Sequence, residues 1–382
     1  MRKVTQADIA KALGISPTTV GLVVGNTDSE LRARLSKVTV RRIQEKAEEL
    51  GYRPNRGAQI LRQGRSNLIA LLNFGGYSEI ASKRAFQVGR LVHEAGYDFQ
   101  TVDAYWWIGD AARIVDQLMG LRPEGIIVTG SLQAPFEKKH IESLIAAGIP
   151  VVSIGIEIQG IPWVHQDAKM AIRELTQHAI ENGRKRVALL VSYEKNGAVP
   201  WQTRERVSGF QEVIAEAGYA APECRQDLQN HFTKESAFQS VILLDSRKRS
   251  FPGSFEQVLS AADEILCHEV RPDAIICCND AYAMGVINVC KRQGIAVPEE
   301  IAVTGFDNVS YGMLGGVIPT TVEQPTEAMC EKAVSLLRAR MSSRAQTEEI
   351  PEKHAMPCRI IWRESTHGSQ APASSLVPSI SE

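Results

Sequence analysis

Nowhere does the chain hold the roughly 18 uninterrupted apolar residues that a membrane span needs. Its start, Met1-Arg2-Lys3-Val4-Thr5-Gln6, lacks the apolar region of a secretory signal. Membrane insertion and export are not expected, and a cytoplasmic location is. Cysteine is scarce, with 7 in 382 residues, Cys224 being the first, and none in CxxC spacing. That weighs against a disulfide framework and reads as reduced, mostly buried thiols. The eight histidines show no ligand spacing, and His268-Glu269 lacks the second histidine of HExxH. GxGxxG, Walker and GxSxG strings are also absent, so the common enzyme classes lose their sequence support and no cofactor or metal is expected. Net charge is nearly absent too, at -1.

That small total hides an uneven distribution. Residues 1–65 carry 13 Lys and Arg against 6 Asp and Glu, and the remainder 30 against 38. A small cationic head on an acidic body suggests that the head meets a polyanion while the body does something else. The length also calls for more than one domain, since single cores stop growing near about 250–300 residues.

Beyond Arg65 short apolar runs at 68–74, 125–129, 150–154, 187–191, 274–278 and 301–304 read as buried strands. Amphipathic stretches lie between them. In 85–95 the apolar set is Phe86, Val88, Leu91 and Val92; in 168–181 it is Ile172, Leu175, Ala179 and Ile180. Strand alternating with helix predicts a parallel sheet covered on both faces. The pattern then repeats. Ile69-Ala70-Leu71-Leu72, Glu94-Ala95-Gly96-Tyr97 and Pro123-Glu124-Gly125-Ile126-Ile127 recur as Val187-Ala188-Leu189-Leu190, Glu216-Ala217-Gly218-Tyr219 and Pro272-Asp273-Ala274-Ile275-Ile276. Two similar α/β lobes are expected, with a ligand cleft where the carboxyl ends of their strands face each other. Extra residues in the second lobe point to a surface insertion near 246–253, and the Ser- and Pro-rich 365–382 reads as a disordered tail.

In the head, Thr5 and Asp8 form a capping-box-like start, followed by Ile9, Ala10 and Leu13 on one face, and Gly14 stops the helix. Ser16 can cap a second helix whose first residue is Pro17, with Val20, Val23 and Val24 inward. A third runs from about Ser36 to Leu50. Two short helices joined by a glycine turn make a helix-turn-helix.

Val4-Thr5-Gln6-Ala7-Asp8-Ile9-Ala10, Gly14-Ile15-Ser16-Pro17-Thr18-Thr19-Val20 and Glu49-Leu50-Gly51-Tyr52-Arg53-Pro54-Asn55 resemble the LacI/GalR family of bacterial transcription regulators. Arg206-Val207-Ser208-Gly209-Phe210, Cys278-Asn279-Asp280, the run from Val297 to Asn308 and Thr320-Thr321-Val322-Glu323-Gln324-Pro325 follow in the family's order, so the likeness spans nearly the whole chain. The fold it implies is an N-terminal all-α helix-turn-helix domain plus an α/β, bilobed, periplasmic-binding-protein-like body of two parallel-sheet lobes. Implied boundaries are 1–54 for the head, 55–66 for a hinge helix and linker, and 67–364 for the body. Within the body the N-lobe takes about 67–160 and 322–340, and the C-lobe about 163–318 and 341–364.

By the same resemblance Pro17, Thr18 and Leu22 face base edges, while Thr5, Ser16, Thr19, Ser36 and Thr39 hold phosphates. Gly21-Leu22 stands where the family commonly has Ser-Arg, so bidentate reading of guanine is lost and Leu22 offers only apolar contact. A longer loop follows, with Arg32 and Arg34 inside it. Asn55, Ala58, Gln59 and Leu61 fall on the hinge, where Leu61 aligns with the leucine that wedges into the minor groove. Asp167, Trp201, Arg206, Asn279 and Asp307 are the implied effector ligands, the first less securely because Ala168-Lys169-Met170-Ala171 departs from the family's continuation. The partners implied are a pseudo-palindromic duplex operator, a second copy of the chain and a small effector, a sugar or sugar derivative. A pure solute-binding protein would carry a signal and no head; a sugar-modifying enzyme with an accessory head would turn its sugar over. Leu61→Ala is expected to weaken specific operator binding at least several-fold with the head still folded, and unchanged affinity in a gel-shift titration would remove the wedge role.

Overall fold

The computed structural model describes residues 4–24, 35–53, 65–75, 78–104, 110–130, 138–193, 201–219, 224–225, 239–245, 253–267, 271–310, 316–342 and 352–367. Hinge positions 55, 58, 59 and 61, most of the loop that follows Val24, and residues 246–252 lie outside them. The chain separates into two compact units, one formed chiefly by residues 1–67 and the other by nearly all of the rest.

Helices α1 (Gln6–Leu13), α2 (Pro17–Val24) and α3 (Lys37–Glu49) make up the head. Thr5 and Asp8 cap α1 reciprocally: Asp8 N–H donates to Thr5 Oγ1 at 3.3 Å and Thr5 N–H to Asp8 Oδ2 at 2.8 Å. Gly14, at φ 66°, ends α1 in the left-handed conformation open to glycine. The chain then bends by 117° into α2, within the range of a helix-turn-helix. Ile9, Ala10, Val20, Val23, Ile43 and Ala47 close a small core between the three.

In the body β1 (Leu68–Asn73), β2 (Asp98–Asp103), β3 (Gly125–Thr129), β4 (Val151–Ile154), β5 (Trp163–Gln166) and β12 (Lys353–Met356) form one parallel sheet, ordered β12-β5-β4-β3-β1-β2. A second parallel sheet has the order β10-β9-β6-β8-β7, from β6 (Val187–Tyr193), β7 (Cys224–Arg225), β8 (Gln239–Asp245), β9 (Ala274–Cys277) and β10 (Ala302–Thr304). The duplication survives in register. Ile69 lies opposite Gly125 in the first lobe and Val187 opposite Ala274 in the second. Its helical landmark survives as well: Gly96 and Gly218, at φ 83° and 81°, end α4 (Glu79–Glu94) and α8 (Trp201–Glu216). There Tyr97 N–H reaches Val92 O and Tyr219 N–H reaches Ile214 O, both at 3.1 Å. Among the described residues no single helix is long and apolar enough to cross a membrane.

Three expectations need correction. Strand β5 and the segment 353–356 belong to the first lobe's sheet, not the second; β12 is an edge strand with alternating exposure, so no apolar run announced it. Phe86 is 71% exposed while Val88 and Val92 are fully buried, because α4 turns that side away from the sheet. Nor does order stop at 364: Ser365 is buried in the short helix Glu364–His367, accepting from Thr320 N–H and donating to Val303 O. Residues 368–382 lie outside the described set.

Where the chain passes between lobes it is tied by buried polar groups. Asp280 accepts from Val309 N–H at 2.8 Å and from the Thr321 hydroxyl. Arg363 donates to Asn308 Oδ1 at 2.6 Å and to Pro319 O at 3.2 Å. Burial pushes the Asp280 carboxyl up to about 7, against the opposing pull of its two hydrogen bonds.

A folded value of about 7 against an ordinary 3.8 means that the folded chain holds the extra proton between those limits. Stability from this group therefore falls as pH rises from about 4 to 7 and is flat above. Asp280→Asn should flatten the pH profile of urea-unfolding free energy, the difference between parent and variant changing by on the order of 4 kcal/mol across that window; parallel profiles would contradict it. Packing gives a second test. A Cβ on Gly209 of α8 would lie 2.5 Å from Lys169 O on α7 (Ala168–Glu181), whereas one on exposed Gly120 meets nothing. Gly209→Ala should lower stability by about 1–3 kcal/mol, and Gly120→Ala should leave it equal or higher, both read from denaturation midpoints.

Candidate functional site

The head and the body each present a set of polar groups. In the head, Ser16, Pro17 and Thr18 are exposed at the start of α2, with Thr19 and Leu22 half-buried behind them. Ser16 Oγ accepts from Thr19 N–H at 3.1 Å, and Ser36 Oγ accepts from Thr39 N–H at 3.1 Å at the start of α3. Thr5, Ser16 and Ser36 thus cap all three helix N-termini and remain exposed. A helix N-terminus carries a partial positive charge and unpaired N–H groups, which suits phosphate. Gly21, in place of a polar residue, is buried.

In the body the site lies where the carboxyl ends of both sheets approach each other. Glu79, at the start of α4, accepts from Ser310 N–H at 2.9 Å and from its hydroxyl at 3.0 Å, and the Gln202 side chain donates to Gly155 O. Asp307 follows β10 with φ 104°, a conformation costly for a non-glycine residue and characteristic of functional positions. Its Oδ1 accepts from Gln324 Nε2 at 2.6 Å. Burial raises its carboxyl, opposed first by the Arg206 guanidinium and then by Gln324 and Arg84. Arg206 is buried on α8 with its guanidinium 4.3 Å from the Phe306 ring centroid, a cation–π contact.

Three of the five residues expected in the cleft share one electrostatic neighbourhood. The half-buried thiol of Cys358, pushed up to about 12 by desolvation, feels Arg206, Asp167 and Asp307 together. Asp167 and Asn279 are also helix caps: Asp167 Oδ1 accepts from Met170 N–H at 3.0 Å and Asn279 Oδ1 from Tyr282 N–H at 2.9 Å. One acceptor on each is thereby committed. Trp201 packs edge-on against Trp163 and His165, at 4.6 and 4.7 Å between centroids, and Trp163 stacks on His165 at 4.1 Å. Trp163 sits on β5 and Trp201 on α8, so this aromatic cluster joins the lobes.

Sequence reasoning missed Arg84, Gln324 and Gln202. Gln324 lies in a quoted motif without a role. Arg84 had a legible mark: it stands one turn before Val88 on the buried stripe of α4, where a charged side chain is out of place. Arg84 Nη2 donates to Gln324 Oε1 at 2.8 Å and Nη1 to Thr129 Oγ1 at 3.3 Å. The result is a chain of contacts from Arg84 through Gln324 to Asp307. Such a set can orient a polyhydroxylated or anionic molecule; among the described residues no group of three or more His, Cys, Asp or Glu could hold a metal.

Residues 176–366 match the periplasmic binding protein-like domain, and 107–237 the periplasmic binding proteins and sugar binding domain of the LacI family. The HTH-type transcriptional regulator DegA of Bacillus subtilis is 25% identical over 376 residues, 95% of this chain and 98% of the relative. The HTH-type transcriptional repressor PurR of Photobacterium profundum is 23% identical over 351 residues, 91% and 95% of the two chains. In fold, the chain is similar to the lac repressor dimer bound to operator and the anti-inducer ONPF, with a TM-score of 0.75 at 19% identity, covering 96% of this chain and 99% of that one. With a family model spanning half its length and relatives matched from head to body, the chain belongs to the LacI/GalR family of transcriptional regulators.

Proposed function

We propose that this regulator binds a pseudo-palindromic operator as a homodimer in the cytoplasm, most simply as a repressor, and that a small effector between the lobes of the body sets its affinity for DNA. The observation that carries the reading is the pairing, in one chain, of a head whose three capped helix starts are exposed with a body in which Arg206 lies against Phe306 and Asp307 is linked through Gln324 to Arg84 of the first lobe. Pro17, Thr18 and Leu22 are assigned to base edges, and Thr5, Ser16, Thr19, Ser36 and Thr39 to phosphates. Asn55, Ala58, Gln59 and Leu61 are assigned to the hinge. One small head reads few base pairs, so two-fold symmetry in protein and operator follows. Arg206, Asp307, Asp167 and Asn279 are assigned to the effector, with Trp201 at its edge. One solved structure similar in fold is a CelR–cellobiose complex, and a sugar or sugar derivative suits the hydrogen-bonding groups here. The chain acts by binding, without turnover.

Selection of bound duplexes from a random pool should return an inverted repeat, bound with steep salt dependence; recovery of no enriched motif would count against the reading. Thr18→Ala should relax the recovered half-site, whereas Ser16→Ala should weaken all sequences alike, by about tenfold if a phosphate hydrogen bond is lost.

A further inference from the structure

Arg84 is 6% exposed and carries a charge that nothing in contact with it among the described residues neutralises. Its two hydrogen-bond acceptors, the Thr129 hydroxyl and the Gln324 amide oxygen, are neutral, and its Nε has no partner among the described residues. Cys330, whose thiol lies against the Arg84 carbonyl at 3.9 Å, offers no counter-charge because burial pushes that thiol up to about 11. Among the described residues the carboxylate whose charge reaches Arg84 is Asp307, which is coupled first to Arg206, itself buried and with no partner for its Nε among those residues. Neither arginine forms an ion pair among the described residues. A guanidinium removed from water without an anion is strongly disfavoured unless an anion arrives.

The position is also shaped for this group. Gly155, at φ 74°, leaves the space the guanidinium occupies, since a Cβ there would lie 2.8 Å from Arg84 Nη1. Thr129 ends β3 and Gly155 follows β4, so Arg84 stands at the carboxyl edge of the first sheet. Gly155 O also receives the Gln202 side chain from the second lobe. Planar donors fixed in this way match the fork of a carboxylate or the face of a phosphate.

We propose that the effector carries an oxyanion, carboxylate or phosphate, which Arg84 receives at the first-lobe side of the cleft. This rests on the reading of the cleft as the effector site and narrows it from a sugar to an acidic compound such as a sugar acid or sugar phosphate. Neutral hydroxyls would occupy the second-lobe groups, and the anion would complete the environment that Gln324 and Thr129 only partly supply.

The test uses the full-length chain. Inorganic phosphate and acetate, compared with chloride at matched ionic strength, should each raise the melting temperature of the parent. Neither should do so in Arg84→Met, and Arg84→Lys, a point charge without the fork, should keep part of the effect. The apo Arg84→Met protein should melt no lower than the parent, since it loses an uncompensated buried cation; should it fail to fold, Arg84→Gln takes its place. Glucose 6-phosphate and glucuronate should bind at least about tenfold more tightly than glucose and the methyl ester of glucuronate, the value of a charge-assisted hydrogen bond pair. Absence of anion-specific stabilisation, or its persistence in Arg84→Met, overturns the proposal. Operator affinity measured in the same samples separates the two readings. Arg84-dependent anion binding that leaves operator affinity unchanged supports the anion site and removes the effector reading. Release or capture of operator by neutral sugars alone does the reverse.

Discussion

A guanidinium taken out of water has to be answered by opposite charge or by a full set of acceptors, and the junction between the lobes is organised around two that are only partly answered. Arg84 and Arg206 share the field of one half-buried acid, Asp307. Gln324 hands a hydrogen bond from the first lobe's arginine to the second lobe's aspartate, so an amide does the connecting and no direct ion pair forms. Asp307 keeps its strained backbone because it is held from outside: its N–H donates to Val322 O at 2.8 Å, and Gly305 before it donates to Thr320 O at 2.7 Å.

Three stretches at the junction of the lobes converge on the same place. The segment after β10, the strand Thr321–Glu323 and the stretch from Arg363 to Thr366 are joined by Asp280, Asn308, Thr320 and Ser365. Polar groups buried in this way fix one geometry, because each alternative leaves a donor or acceptor without water or partner. A molecule entering between the lobes meets groups already braced, and it regulates DNA binding only by binding one lobe arrangement better than another.

The head solves a smaller problem with the same chemistry. Thr5, Ser16 and Ser36 satisfy the first N–H groups of their helices, which a domain of this size needs because Ile9, Val20, Ile43 and a few neighbours form its small core among the described residues. The caps remain exposed while they stabilise their helices.

Local rules were enough for the elements. Capping residues, Gly14, the repeated Glu-Ala-Gly-Tyr and the apolar runs depend on contacts a few residues apart, and each is visible in the chain itself, as is the duplication that makes the body two-lobed. Arg206 and Asp307 stand in recognisable motifs, Asp167 is followed by a departure from the family's continuation, and Arg84 was marked by its place on an apolar stripe. Other features needed the folded molecule: which sheet receives the edge strand 353–356, that Trp201 spends its ring on Trp163 and His165, and that Ser365 is buried. Edge pairing, desolvation and the neutralisation of buried charge arise between segments up to some hundreds of residues apart, as with Arg84 and Gln324. Such terms depend on which groups exclude water from one another, a property of position in space that no local spacing records.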